Sequence, residues 1–180
     1  LPIPPYTLGY WLGDGNSYSS QITVGTDDIE IVDYIRDEGN RCEVRTTDNP
    51  RVLTVIVNPH IDSGNSEICQ RGHDMRVTGR TIRGRCAECA RQYSKHFQYG
   101  FIMDPKLDEL ESGFSRLRGL NLIGNKHIPA RYLRADYTTR LALLQGILDS
   151  DGHITKNGRG EITLKSKRLA DDVSELLLTM

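Results

Sequence analysis

The sequence predicts an α+β chain made of two unequal copies of one unit: a motif helix, antiparallel strands and a further helix. Three observations lead there. Leu8-Gly9-Tyr10-Trp11-Leu12-Gly13-Asp14-Gly15 and Leu144-Gln145-Gly146-Ile147-Leu148-Asp149-Ser150-Asp151-Gly152 are both apolar helical segments that contain a glycine and close on Asp-Gly. Each is followed by short alternating stretches of the kind that form half-buried strands. The 180 residues can bury one good core or two small ones.

The first motif helix is expected over about Tyr6–Gly13, and Ser20-Gln21-Ile22-Thr23-Val24 alternates as a strand. Asp27 or Asp28 can cap a helix bearing Ile31, Val32 and Ile35 that ends at Gly39. Two strands, Cys42–Thr46 and Val52–Val57, flank a Thr-Asp-Asn-Pro turn. Short helices are expected from Ser112 to Leu117 and from Pro129 to Arg134. In the second motif helix, Leu141, Leu144 and Leu148 share a face at helical spacing. His153–Thr155 and Glu161–Leu164 form a hairpin around Asn157-Gly158. A last helix is capped by Ser166, with Leu169, Val173, Leu176 and Leu177 as its apolar face.

Gly9 and Gly146 occupy equivalent points of the two motifs. A helical glycine costs about 1 kcal/mol relative to alanine, and close approach of two helix backbones is the natural reason to accept it. Asp14 and Asp151 then lie together at the C-terminal ends of a packed pair. That is the unfavourable end of the helix dipole for an anion and a poor place for two like charges. A divalent cation between them removes both objections, so the pair reads as a metal site for phosphate chemistry.

At these residues the chain resembles the LAGLIDADG homing endonucleases embedded in inteins. Residues 7–15 are a degenerate copy of the motif and residues 144–152 a close one. Leu1-Pro2-Ile3-Pro4-Pro5-Tyr6 is similar to the usual entry to the first motif, and Asn125-Lys126-His127-Ile128-Pro129 to the lysine block preceding the second. The resemblance implies αββαββα repeats related by a pseudo-two-fold axis, with saddle-shaped antiparallel sheets. Residues 1–65 and 99–135 would form the first repeat, 66–98 an insert, and 136–180 a truncated second repeat. It implies Mg²⁺ held by Asp14 and Asp151, with Lys126 as the active-site lysine. Asp149 is a weaker candidate, because the first motif has Leu12 there.

The insert carries Cys69-x3-His73-x12-Cys86-x2-Cys89, spaced for one tetrahedral Zn²⁺, with His96 as an alternative to His73. Arg71, Arg76, Arg80, Arg83 and Arg85 lie among few apolar residues, so a structural metal would have to organise the segment. Its Cys-x3-Gly-His start resembles small zinc fingers that accompany phage-type HNH nucleases. No HNH catalytic set is evident, which assigns it structure and DNA contact. Cys42, in a strand, reads as a small core residue.

The net charge of −1 does not advertise nucleic-acid binding, but its distribution does more. Residues 1–65 carry ten acidic and four basic side chains, residues 66–98 three acidic and seven basic, and local positive surface is what counterion release rewards. On the strands, Ser20, Thr23, Arg45, Thr47 and Arg51, then Thr155, Lys156, Arg159 and Thr163, are candidate DNA readers. The absence of a membrane-length apolar run and of a signal-peptide pattern predicts a soluble, cytoplasmic protein without a membrane partner.

The reading is therefore a Mg²⁺-dependent, site-specific double-strand endodeoxyribonuclease, the homing endonuclease domain of an intein, with duplex DNA and flanking host exteins as partners. A catalytically inactive DNA-binding module of the same fold and an RNA-binding maturase are the alternatives. The nucleophile and terminal His-Asn that splicing requires are not found in this sequence, so self-splicing is not expected of it. The second copy, as given, lacks later strands and helices, which predicts exposed apolar surface at Leu169, Val173 and Leu176.

Overall fold

The computed structural model describes residues 1–58, 75–78, 87–88, 91 and 112–180. The chain divides into two compact units: Leu1–Pro59 together with Ser112–Met180, and His60–Glu111, which interrupts it in sequence.

In the larger unit the architecture is α+β with antiparallel sheets. Helix α1 (Pro5–Asp14) starts on a proline, whose missing N–H costs nothing at that position. It is buried from Tyr6 through Leu12. Sheet strands β1 (Gln21–Gly25), β2 (Cys42–Thr46) and β3 (Val52–Val57) are ordered β1-β3-β2, all antiparallel. Ile22 pairs with Val55 and Val24 with Leu53, so one face carries Ile22, Val24, Val55 and Val57 into the core. The opposite face presents the row Thr23–Thr54–Arg45. Between α1 and β1 the chain makes only an isolated bridge, Gly15 with Ile22. The described order is thus helix, strand, helix, hairpin, where the repeat pattern αββαββα would place two strands before the second helix.

Helix α2 (Glu30–Asp37) follows a short 3₁₀ turn, Thr26–Asp28. Neither Asp27 nor Asp28 caps it through a side chain, but it buries Ile31, Val32 and Ile35 as expected. It ends at Asp37, two residues before the expected Gly39, whose φ of +86° suits glycine. Beyond its end, Glu38 satisfies the start of α1. Its carboxylate accepts from the Tyr6 N–H at 2.9 Å, and from both the N–H and Oγ1 of Thr7 at 2.7 Å. Buried Asn40 donates to Thr7 Oγ1 and Ile35 O, and Asn58 donates to Asn40 Oδ1. This network fixes where α1 enters the core.

A one-turn helix in the smaller unit, α3, spans Met75–Thr78. Helix α4 (Gly113–Gly119) is capped by Ser112, whose Oγ accepts from Ser115 N. Helix α5 (Ala130–Leu133) follows Pro129, and its Tyr132 hydroxyl clasps the first residues of the chain, donating to Ile3 O and accepting from Ile3 N. Helix α6 (Tyr137–Asp151) is capped by Asp136, which accepts from Thr139 N at 2.9 Å.

The buried side of α6 is Leu143, Leu144, Gly146 and Ile147. This corrects the face assigned from spacing: Leu144 is on it, but Leu141 is half-buried and Leu148 is exposed. A ribbon of β4 (Gly152–Ile154) and β5 (Gly160–Ile162) turns at Asn157-Gly158, with Gly158 at φ +75°. Helix α7 (Lys167–Leu178), capped by Ser166, buries Leu169, Val173 and Leu176. The expected exposure of those three is wrong. They face the core, and Leu177 and Leu178 are the exposed apolar residues of that helix.

Candidate active site

Two helices that must touch backbone to backbone build the site. A Cβ on Gly9 would fall on the carbonyl oxygen of Leu143 and lie 3.0 Å from Ile147 N. One on Gly146 would fall on the carbonyl of Tyr6 and lie 2.7 Å from Tyr10 N. Farther along, a Cβ on Gly13 would lie 2.7 Å from Ser150 Cβ and 2.9 Å from Asp151 Oδ2. Contacts that advance in step along both chains mean that α1 and α6 run parallel. Their last residues, Asp14 and Asp151, therefore finish at one end of the pair. Gly9 and Gly146 are legible in the sequence as contact glycines, whereas Gly13 reads there only as the last residue of the first motif helix.

Lys126 completes the group. Its loop is held by Gly124 (φ +66°), whose N–H reaches Ser17 O at 2.7 Å, and by Ile128 N, which donates to Asp172 Oδ2 at 2.8 Å. The Lys126 ammonium donates to Gly13 O at 2.8 Å and to Gly15 O at 2.7 Å, the carbonyls on either side of Asp14. It also lies 5.1 Å from the ring centroid of Trp11. Lysine here caps the C-terminus of α1 and offsets its dipole, so part of the objection to an acid at that end is already met without a metal.

The charges strain one another. Burial, and then the charge of Asp151, push the Asp14 carboxyl above the usual carboxylate range, against the pull of Lys126. Burial raises Asp151 as well, again opposed by Lys126. The Lys126 ammonium is half-buried and its pKa is lowered by that burial, with both acids pulling it back up. One nearby cation does not fully compensate two crowded carboxylates, so the pair fits a further positive charge. Among the described residues, no three His, Cys, Asp or Glu side chains group to hold a metal. An ion here would take two protein carboxylates and leave its other positions to water or phosphate oxygens, which is the habit of Mg²⁺.

Asp149 stands apart from this centre. It is exposed and accepts a 2.8 Å hydrogen bond from the Tyr6 hydroxyl, a cross-link from α1 to α6. Burial and that carboxylate raise the Tyr6 pKa.

The candidate DNA readers divide. Thr23 and Arg45 lie on the outer sheet face, with Arg45 paired to Glu43 at 2.7 Å. Arg51, Lys156 and Arg159 are exposed at hairpin turns. Thr47 and Thr155 donate their hydroxyls within turns, to Asn49 O and Val52 O and to Arg159 O respectively. Ser20 is buried and its carbonyl accepts from Val57 N, so it cannot read DNA. Arg76 is exposed on α3. Cys69, His73, Cys86, Cys89, His96, Arg71, Arg80, Arg83 and Arg85 lie outside the described residues. Cys42 is half-buried against the core. Among the described residues, no helix is long and apolar enough to cross a membrane.

Residues 138–180 match the LAGLIDADG-like domain family. That LAGLIDADG-like segment begins in the first turn of α6 and includes Asp151 and the β4–β5 ribbon. The chain is also 30% identical over 178 residues to a replicative DNA helicase DnaB of Mycobacterium intracellulare. The alignment takes in 99% of this chain and 19% of that protein.

Proposed function

We propose that this chain is a site-specific, divalent-metal-dependent DNA endonuclease domain of the homing type, carried within an intein. The observation that carries the proposal is the parallel glycine-mediated packing of α1 on α6, which gathers Asp14, Asp151 and Lys126 at one end. Asp14 and Asp151 would hold Mg²⁺, which would supply positive charge to polarise a scissile phosphate. Lys126 spends two of its three N–H donors on Gly13 and Gly15 and keeps one to orient a phosphate oxygen or the attacking water. The burial that crowds these groups also strengthens each charge interaction among them.

Duplex DNA would lie along the outer sheet face. Arg45, Arg51, Lys156 and Arg159 would meet phosphates or base edges, and Arg71, Arg76, Arg80, Arg83 and Arg85 of the interrupting segment would add phosphate contacts. Three thiols and one imidazole, Cys86, Cys89, Cys69 and His73, form a donor set chemically suited to one structural Zn²⁺. The intein setting is supported by the form of the helicase alignment. A match over 99% of this chain but 19% of a longer protein is what one domain within a host protein produces.

Incubating the purified protein with Mg²⁺ and a library of duplex sites tests the proposal. Discrete double-strand cuts are expected, and Asp151→Asn should abolish them while DNA affinity is retained. Undiminished cutting by Asp151→Asn would overturn it. Binding without any cutting by the unaltered protein would leave the inactive DNA-binding module.

A further inference from the structure

Lys126 reaches the acid pair from a loop, and a long flexible side chain on a loop does not hold one position unaided. Two carbonyls fix its distance from the end of α1. A third surface, the face of Trp11, lies 5.1 Å away, within cation–π range. Trp11 is itself immobile. It is buried at 3% exposure, and its indole N–H donates to Ser19 O at 2.9 Å. Its carbonyl accepts from Gly15 N at 2.9 Å, and Gly15 packs so closely on the indole that a Cβ there would overlap the ring.

We propose that Trp11 is a positioning residue, whose fixed indole face sets where the Lys126 ammonium stands beside Asp14 and Asp151. This rests on the endonuclease reading for its effect on rate, but the contact itself does not. An aliphatic residue would fill space without attracting a cation. Phenylalanine would keep an aromatic face with a weaker quadrupole and no N–H for Ser19. The three side chains therefore predict a graded series, which a core truncation elsewhere separates from loss of packing.

Two measurements on the full chain test this, one independent of cleavage. Trp11 is the sole tryptophan, so intrinsic fluorescence reads its surroundings directly. Lys126→Met should shift the emission while far-ultraviolet circular dichroism stays constant. Unchanged emission would overturn the contact, whether or not the protein cuts DNA. For the rate, Trp11→Leu should lower kcat about tenfold with little change in KM, matching the upper part of the cation–π range. Trp11→Phe should recover part of that loss. Leu176→Ala, a core truncation on α7, controls for stability and should leave the kcat of folded protein unchanged. Equal kcat losses in Trp11→Phe and Leu176→Ala would reduce Trp11 to a core side chain. If Trp11→Leu does not fold, the comparison of Trp11→Phe with the unaltered chain, together with the fluorescence shift, decides.

Discussion

Replacing Gly146 with alanine sets two effects of opposite sign against each other. Helix propensity alone favours Gly146→Ala by about 1 kcal/mol. The geometry opposes it, because the new Cβ would overlap the Tyr6 carbonyl oxygen and stand 2.7 Å from Tyr10 N. Neither obstacle is a side chain that can rotate away; both are backbone atoms of a buried helix. The helices must separate, and overpacking of this kind costs about 1–3 kcal/mol, occasionally more. The net expectation is destabilisation of up to about 2 kcal/mol after the propensity gain is subtracted. Gly9→Ala should behave alike, since its Cβ would meet the Leu143 carbonyl. Activity should suffer more than stability, because a misplacement of about 1 Å between reacting groups can cost about a hundredfold in rate. Urea denaturation gives the first quantity and Mg²⁺-dependent cleavage the second. A Gly146→Ala protein more stable than the parent by about the propensity gain would refute the close approach of α1 and α6.

Glu38→Ala should destabilise the fold by about 1.5–3 kcal/mol, the range for hydrogen bonds to a charged group, because the first-turn N–H groups of Tyr6 and Thr7 lose their acceptor; denaturation midpoints measure it. In the absence of divalent ions, Asp14 has a folded pKa raised above its unfolded value, so ionising it opposes folding. That opposition is absent below the ordinary value of 3.8 and grows as pH rises through the folded pKa. Asp14→Asn should therefore raise Tm in EDTA at neutral pH, with the difference vanishing in acid. An equal Tm at pH 7 would remove the like-charge argument. For the interrupting segment, metal analysis of protein prepared without chelator should find one zinc per chain, diminished in Cys86→Ser or Cys89→Ser.

What could be read ahead depended on whether a residue's reason was local. Gly9 and Gly146 were legible because a glycine in an apolar helix needs a cause, and the Ser166 cap because its bond closes within three residues. The buried side of α6 was not legible. Leucine or isoleucine occupies 141, 143, 144, 147 and 148, so periodicity alone admits more than one face, and contact with α1 selects the one with Leu143 and Ile147. Ser20 was misread because a residue at the junction of turn and strand can point either way. Lys126 was visible from the resemblance, but its carbonyl partners and its Trp11 floor come from α1, far away in sequence. The bond from Tyr6 to Asp149 and the bonds around Glu38 are likewise long-range, and no spacing rule reaches them.

The parallel pairing of α1 with α6 also governs when the two carboxylates can meet. Each helix contributes one carboxylate, so a chain emerging from the ribosome carries only half of the pair until Asp151 has been synthesised. Doubling the length of a flexible connection raises its closure cost by only about 0.6 kcal/mol. A pair joined through so long a connection can therefore accept a whole unit such as His60–Glu111 between its members with little thermodynamic penalty. The same arrangement slows the search that brings the helices together, since distant contacts reward the chain only after the loop has closed. A nascent chain of this design can bring Asp14 and Asp151 together only after α6 has been made.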